Sequence, residues 1–75
     1  MELPDRLHYL RQYHQYNAAG MVPDVTCDKC DIPYFPRYDF ENEEILLWCM
    51  RCDHKFAPGE GIIGRMIKYV QQIED

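Results

Sequence analysis

Long apolar runs and clusters of glycine are both missing from this sequence. No stretch approaches the roughly 18 consecutive apolar residues that a membrane-spanning helix needs. The segment after Met1 is acidic and lacks the basic and apolar regions of a signal peptide. The four glycines lie singly, so the sequence contains no phosphate-cradling glycine loop. We therefore expect an intracellular, cytoplasmic protein with no membrane association.

Recognisable catalytic patterns are missing as well. The sequence shows no Ser-His-Asp arrangement and no pair of carboxylates placed for general acid and base catalysis. We therefore expect that the protein is not an enzyme and has no small-molecule substrate.

Basic residues are too few and too scattered to form a strong nucleic-acid-binding surface. Eight Lys and Arg stand against 13 Asp and Glu, which gives a formal net charge of -5. Residues 21–48 hold seven acidic and two basic residues and so account for the whole excess. Because affinity for phosphates depends on clustered Lys and Arg, we expect the partner to be another protein with a basic patch rather than nucleic acid.

The cysteines form two Cys-x-x-Cys pairs, and the chain contains no others. Eighteen residues separate Cys27 and Cys30 from Cys49 and Cys52. A tight turn aims both sulfurs of a pair at one point, and two pairs complete a closed tetrahedral site. The spacing therefore predicts one structural zinc ion per chain, bound by Cys27, Cys30, Cys49 and Cys52.

Other roles for the four cysteines are compatible with the sequence. Two disulfides would suit a small secreted domain, whereas thiols stay reduced inside the cell. Iron suits the same four sulfurs in a rubredoxin-like site, which leaves an electron carrier or redox protein as an alternative. His8, His14 and His54 are not needed as ligands, because four cysteines already fill a closed site.

The second cysteine pair belongs to a longer motif, CMRCDHKF, at Cys49–Phe56. This motif resembles the second knuckle of zinc-ribbon proteins, where the pattern is typically Cys-x-x-Cys-Gly-His-x-Phe. Together with the first pair, the resemblance covers about residues 25–58 and extends to small zinc-ribbon proteins of bacteria and their phages. Both pairs are followed by aspartate, Asp31 and Asp53, where the family usually has glycine. Asp is among the few other residues that enter the left-handed backbone conformation at modest cost.

Hydrophobic patterning predicts a single α+β domain over residues 1–75. We expect a helix at about 4–19, because Pro4 suits a first turn and Gly20 suits the position just past the end. A ribbon of two or three antiparallel strands is expected at about 24–57, and a second helix at about 62–73. The predicted core face of the first helix comprises Leu3, Leu7, Leu10, His14 and Met21. The predicted core face of the second helix comprises Ile62, Ile63, Met66, Val70 and Ile73.

Aromatic residues and prolines mark the first strand of the predicted ribbon. The two-residue period of a strand places Tyr34, Tyr38 and Phe40 on one face. Proline cannot donate to a strand ladder, so Pro33 and Pro36 indicate an edge strand or a break near them. The other predicted elements are a turn at Glu41–Glu44, a return strand at Ile45–Trp48 and a short third strand at Lys55–Ala57.

Two surfaces are candidates for partner binding. Tyr9, Tyr13 and Tyr16 form a second stripe on the first helix, which either packs on the ribbon or contacts a partner. The acidic hairpin supplies Glu41, Glu43 and Glu44. We expect a non-catalytic adaptor or regulator in which the metal holds a rigid surface for another protein. Because zinc ribbons often serve nucleic-acid or transcription machinery, the alternative is a nucleic-acid-binding regulator, of phage origin, that uses Lys29, Arg51 and Lys55.

Overall fold

Two helices flank a three-stranded antiparallel sheet in the computed structural model, which describes residues 2–74. This arrangement confirms the predicted α+β class. In chain order the elements are α1 (Leu3–Ala18), β1 (Phe35–Asp39), β2 (Glu44–Trp48), β3 (Lys55–Phe56) and α2 (Glu60–Glu74). Neither described helix is long and apolar enough to cross a membrane.

Helix α1 has ends of the expected kind, but its buried face is rotated from the predicted one towards Tyr13 and Asn17. Proline occupies its first turn, and the chain leaves the helix through Gly20, which has a φ of 76°. Leu10, Tyr13 and Asn17 are its buried residues, while Leu3 and Leu7 pack at the margin of the core. The prediction that Met21 shares the core face is wrong. Met21 is 58% exposed because it follows the left-handed Gly20, where the helical periodicity has ended.

Helix α2 begins at Glu60, two residues before the predicted start at 62. It buries Ile63, Met66, Ile67 and Val70. The prediction placed Ile62 and Ile73 in the core, but these side chains are 42% and 37% exposed. Both lie roughly a quarter of a turn to one side of the buried face. Ile67, which the prediction omitted, completes that face.

The strands follow the order β1-β2-β3. Phe35 pairs with Trp48 and Asp39 with Glu44, so β1 lies at an edge, as Pro36 within it predicts. Strand β3 is two residues long and excludes Ala57. The predicted aromatic face ends at Tyr38, because Phe40 lies in the turn and is 82% exposed.

The hairpin turn between β1 and β2 is held by a single aspartate. The carboxylate of Asp39 accepts hydrogen bonds from the backbone N–H of Glu41 at 3.0 Å and from the side-chain amide of Asn42 at 2.7 Å. The Asn42 amide is the main reason that the pKa of Asp39 is lowered from its ordinary value. Glu43 adopts a φ of 51°, and Glu44, predicted as part of the turn, already belongs to β2.

Buried polar groups on α1 fix the chain segment that leads to the first cysteine pair. The Tyr13 hydroxyl donates a hydrogen bond to the carbonyl of Pro23. The Asn17 side-chain amide donates to the carbonyl of Val25 at 3.0 Å, two residues before Cys27. Both side chains are almost wholly buried. The packing of α1 therefore sets where Cys27 lies.

Candidate metal centre

The two Cys-x-x-Cys turns, or knuckles, are built on the same backbone pattern. The N–H of the aspartate that follows each pair donates to the carbonyl of the first cysteine, from Asp31 to Cys27 at 2.8 Å and from Asp53 to Cys49 at 2.9 Å. The N–H of the first cysteine donates to a carbonyl five residues further on, at 3.0 Å and 2.8 Å respectively. Each knuckle is thus a closed turn that holds both of its sulfurs on one side.

Asp31 and Asp53 adopt the left-handed backbone conformation. The sequence analysis predicted this conformation because glycine usually occupies these two positions of the motif. Their φ values are 55° and 61°. Asp53 has a further role, because its carboxylate accepts a hydrogen bond from the indole N–H of Trp48 at 2.7 Å. The Arg37 guanidinium lies over the Trp48 ring, 4.8 Å from the ring centre. The second knuckle is therefore tied to both β1 and β2 through one tryptophan.

The four sulfur atoms converge on one point between the knuckles. All four Sγ atoms lie within 4.8 Å of one another, and those of Cys27 and Cys52, one from each knuckle, are 3.6 Å apart. A tetrahedral zinc ion with Zn–S bonds of about 2.3 Å requires sulfurs that are about 3.8 Å apart. None of the four is in a disulfide, which would need an S–S distance of about 2.0 Å. The arrangement suits a tetrahedral metal ion.

Burial of the cysteines is graded across the cluster. Cys27 and Cys49, the first cysteines of the two pairs, are buried, whereas Cys30 is half-buried and Cys52 is exposed. Cys49 directly follows β2, so the strand carries it into the core. A cleft of about 310 Å³ beside Cys27 and Cys52 is lined also by Lys29, Tyr34 and His54. The sulfur of Cys52 is therefore the one that solvent reaches most readily.

Backbone N–H groups prepare two of the thiols to ionise. A hydrogen bond from the backbone N–H of Cys52 is the largest influence that lowers the pKa of Cys49 to about 7. The N–H of Lys29 is the main reason that the pKa of Cys27 is also lowered. Burial raises the pKa of Cys30 to about 12. The first cysteine of each knuckle thus favours the thiolate form that a metal ion binds.

The described histidines lie outside the cysteine cluster. The Nδ1 atom of His14 is 3.0 Å from the carbonyl oxygen of Tyr34, and its ring packs edge-on against Phe35. His54 is exposed and stacks on Phe56. These contacts give both side chains structural roles beside the knuckles.

The structure separates the six predicted partner contacts into two groups. Tyr13 is only 2% exposed and lies in the core. Tyr9 and Tyr16 are half-buried and pack against the same core. Glu41, Glu43 and Glu44 are exposed at the hairpin turn, at the opposite end of β2 from Cys49.

Asn17 is a positioning residue that sequence patterning did not identify. It is 5% exposed, and its Oδ1 atom lacks a hydrogen-bond partner among the described residues. The residue continues the helical spacing of Leu10 and Tyr13, which was the one available signal. A polar residue at that spacing is usually assigned to the solvent side.

Comparisons with protein-family models, with curated proteins and with solved structures found no match.

Asp31→Gly and Asp53→Gly are expected to differ in stability although the two backbones have the same conformation. At Asp31, relief of the positive φ offsets the extra freedom of glycine in the unfolded chain, so stability should stay within about 0.5 kcal/mol. At Asp53 the same change also removes the acceptor of the Trp48 N–H. Thermal unfolding should therefore show Asp53→Gly to be less stable than Asp31→Gly by about 1 kcal/mol, or about 4–8 °C.

Asp53→Asn is the matched control for this pair, because asparagine keeps a side-chain acceptor and tolerates the left-handed conformation. It should unfold close to the wild type. Equal midpoints for the two glycine variants would show that the Trp48 hydrogen bond does not stabilise the knuckle.

The thiol pKa values predict that metal binding weakens steeply on acidification. A metal ion binds the deprotonated thiols, but at neutral pH Cys49, with a pKa of about 7, is only about half ionised, and the pKa values of Cys30 and Cys52 are raised. Loading one divalent ion should therefore release about three to four protons. Between about pH 7 and about pH 6 the association constant should fall by about 10³-fold to 10⁴-fold, because each released proton contributes a factor of about ten.

Competition with a chelator at the two pH values measures the change in the association constant. Calorimetry in buffers of different ionisation enthalpy counts the protons. Met50→Ala alters an exposed, non-ionisable residue of the second knuckle and should keep the wild-type dependence. Release of roughly one proton or fewer would contradict binding by four thiols.

Proposed function

We propose that the protein is a zinc ribbon that binds one structural zinc ion through Cys27, Cys30, Cys49 and Cys52. The observation that carries this proposal is the convergence of the four sulfurs within 4.8 Å at the two similar knuckles. The distances suit zinc, and the lowered pKa values of Cys27 and Cys49 supply thiolates. A hairpin between two such knuckles is the layout of a ribbon.

The proposed metal role is structural rather than catalytic. Four protein ligands fill a tetrahedral site, whereas a catalytic zinc ion keeps a position open for water. When bound, the ion supplies two positive charges against four thiolates and cross-links the knuckles. The residues of this chain support the site: backbone N–H groups stabilise the thiolates, and Trp48 donates a hydrogen bond to Asp53 of the second knuckle.

The ribbon, in this proposal, presents its hairpin to another protein. Glu41, Glu43 and Glu44 are exposed at a turn that Asp39 already holds in one conformation, so little entropy is lost when a partner binds. Carboxylates of this density attract a basic patch and repel nucleic-acid phosphates. Arg37, one of the two basic residues among residues 21–48, is engaged with Trp48.

Removal of the metal should unfold the ribbon. A single core in a chain of this size rarely supplies more than about 3–5 kcal/mol, whereas structural zinc contributes an apparent ~10–16 kcal/mol in small peptides. We expect one zinc ion per chain by elemental analysis. Chelation should abolish the dispersion of proton resonances in the hairpin and shift the circular dichroism towards that of an unfolded chain.

Cys49→Ser should reproduce the effect of chelation, and Met50→Ala, one residue further along, should not. Iron in place of zinc after growth in ordinary medium would redirect the proposal to an electron carrier. Spectra that stay unchanged once the metal is shown to be gone would contradict a structural role.

Charge reversal at the hairpin tests the protein-binding role. Affinity capture with the zinc-loaded protein should recover a basic partner that is released at high salt. Glu41→Lys with Glu43→Lys should lose that partner. The control, Glu2→Lys with Glu74→Lys, makes the same change in net charge at two other exposed positions and should keep it.

Capture that survives the hairpin reversal would exclude this surface as the principal contact. A gel-shift series that shows tight nucleic-acid binding with a steep salt dependence would instead support the regulator that binds through Lys29, Arg51 and Lys55.

A further inference from the structure

Helix α2 carries an exposed apolar stripe beside its buried face. The stripe consists of Ile62, Tyr69 and Ile73. Tyr69 lies seven residues and Ile73 lies 11 residues after Ile62, which places the three side chains on one line along the helix. They are 42%, 41% and 37% exposed. The adjacent face of α2, from Ile63 to Val70, is the one that the core buries. The stripe is therefore apolar surface that the fold itself does not cover.

An apolar cleft opens between this stripe and the segment after α1. Its volume is about 190 Å³, and Pro23, Val25 and Met66 line it together with Ile62 and Tyr69. An apolar cavity of about 150 Å³ is large enough to hold benzene. The cleft therefore has room for one aromatic side chain.

Two cations of α2 lie at this cleft or beside it. Arg65 contributes to its wall, and a second depression of about 270 Å³ joins Arg65 to Lys68 and Tyr69. No acidic residue lies three or four positions from either cation on the helix. The ion pair found among residues 2–74 involves Arg6 and Glu60 instead. We call the apolar cleft together with Arg65 and Lys68 the α2 groove.

The hairpin turn of the same chain has the complementary chemistry. Phe40 is 82% exposed, and its ring is braced edge-on against Tyr38 with 4.9 Å between the ring centres. Glu41, Glu43 and Glu44 surround it with carboxylates. An exposed ring among acids fits a ring-sized apolar cleft that is bordered by Arg and Lys.

We propose that the α2 groove binds the hairpin turn of a second copy of this chain, with Phe40 in the cleft and its neighbouring glutamates against Arg65 and Lys68. The proposal rests on the proposed protein-binding role of the hairpin and names its partner. The hairpin cannot fill its own groove. Tyr13 lines the cleft, and Phe35 packs on the next residue, His14, whereas Phe40 lies about 17 Å further along β1.

A contact of this kind joins two different surfaces, so its symmetry decides the product. If two copies make two equivalent contacts related by a twofold axis, the product is a closed dimer. If each pair of copies makes one contact, the copies assemble head to tail. One ring and a few ion pairs bury a small area, so the dissociation constant is expected at about 100 µM. Exposed ion pairs also make the association salt-sensitive.

Analytical ultracentrifugation of the zinc-loaded protein between about 10 µM and about 1 mM tests the proposal. We expect the average mass to rise with concentration and the association to weaken roughly tenfold in high salt. Phe40→Ala and Arg65→Glu should each weaken it by about tenfold or more. Arg11→Glu, the same change at another exposed position on a helix, should leave it intact.

Mixing two charge-reversed variants gives the sharpest test of the pairing. Arg65→Glu with Lys68→Glu puts acids in the groove, and Glu41→Lys with Glu43→Lys puts bases on the hairpin. Each variant alone should be monomeric because like charges then face each other. An equimolar mixture should associate, because the acidic hairpin of the first variant fits the unchanged groove of the second, and the reversed hairpin of the second fits the reversed groove of the first.

A protein that is monomeric at the highest concentration, or Phe40→Ala that associates like the wild type, would overturn the proposal. Titration with a lysine-rich peptide separates this outcome from failure of the proposed function. If the peptide shifts the amide resonances of Glu41–Glu44 in a monomeric protein, the hairpin still binds basic partners and only the second copy is excluded. If it shifts none of them, both proposals fail.

Discussion

The convergence of four thiol groups on one point is the constraint on which the rest of this structure depends. The sulfurs of Cys27 and Cys52 come from opposite ends of the ribbon and lie 3.6 Å apart. Thiolates at that distance repel one another unless a cation lies between them. Backbone N–H groups offset part of the charge on Cys27 and Cys49, and the left-handed Asp31 and Asp53 close the turns that direct those groups.

The helices determine how this cluster sits on the core. Tyr13 and Asn17 hold the chain segment before Cys27, while Leu47 on β2 and the buried face of α2 share one hydrophobic core with Tyr13. The sheet is short and one of its edges carries a proline, so strand pairing alone gives it limited support. In the proposed scheme, metal binding and helix packing act on the same segment from two sides, and loss of either should loosen the other.

Charge divides the surface into regions with different roles. The hairpin turn is acidic and displays Phe40, whereas Arg65 lines an apolar cleft on α2 and Lys68 lies in the depression beside it. Neither region includes one of the four cysteines, so the proposed metal site acts by holding the shape of the ribbon rather than by contact with a partner. In this scheme the residues that bind a partner and the residues that bind the metal are separate sets.

The local features of the structure could be predicted from the sequence because they depend on short spacings along the chain. The two cysteine pairs, the left-handed aspartates and the edge strand with Pro36 follow from residues that are neighbours in the chain, and so do the helices.

Which helical faces are buried depends on neighbours that are distant in the chain. Tyr13 and Asn17 are buried because the segment at Pro23 and Val25 folds back over them. Met21 lies outside the core because the helix ends at the left-handed Gly20. Ile62 and Ile73 stayed exposed because α1 covers a face of α2 centred a quarter of a turn away. The sequence by itself thus determined the two cysteine knuckles and the elements. Only the tertiary structure decided which apolar surface stays exposed, since burial is a property of packed elements and not of periodicity alone.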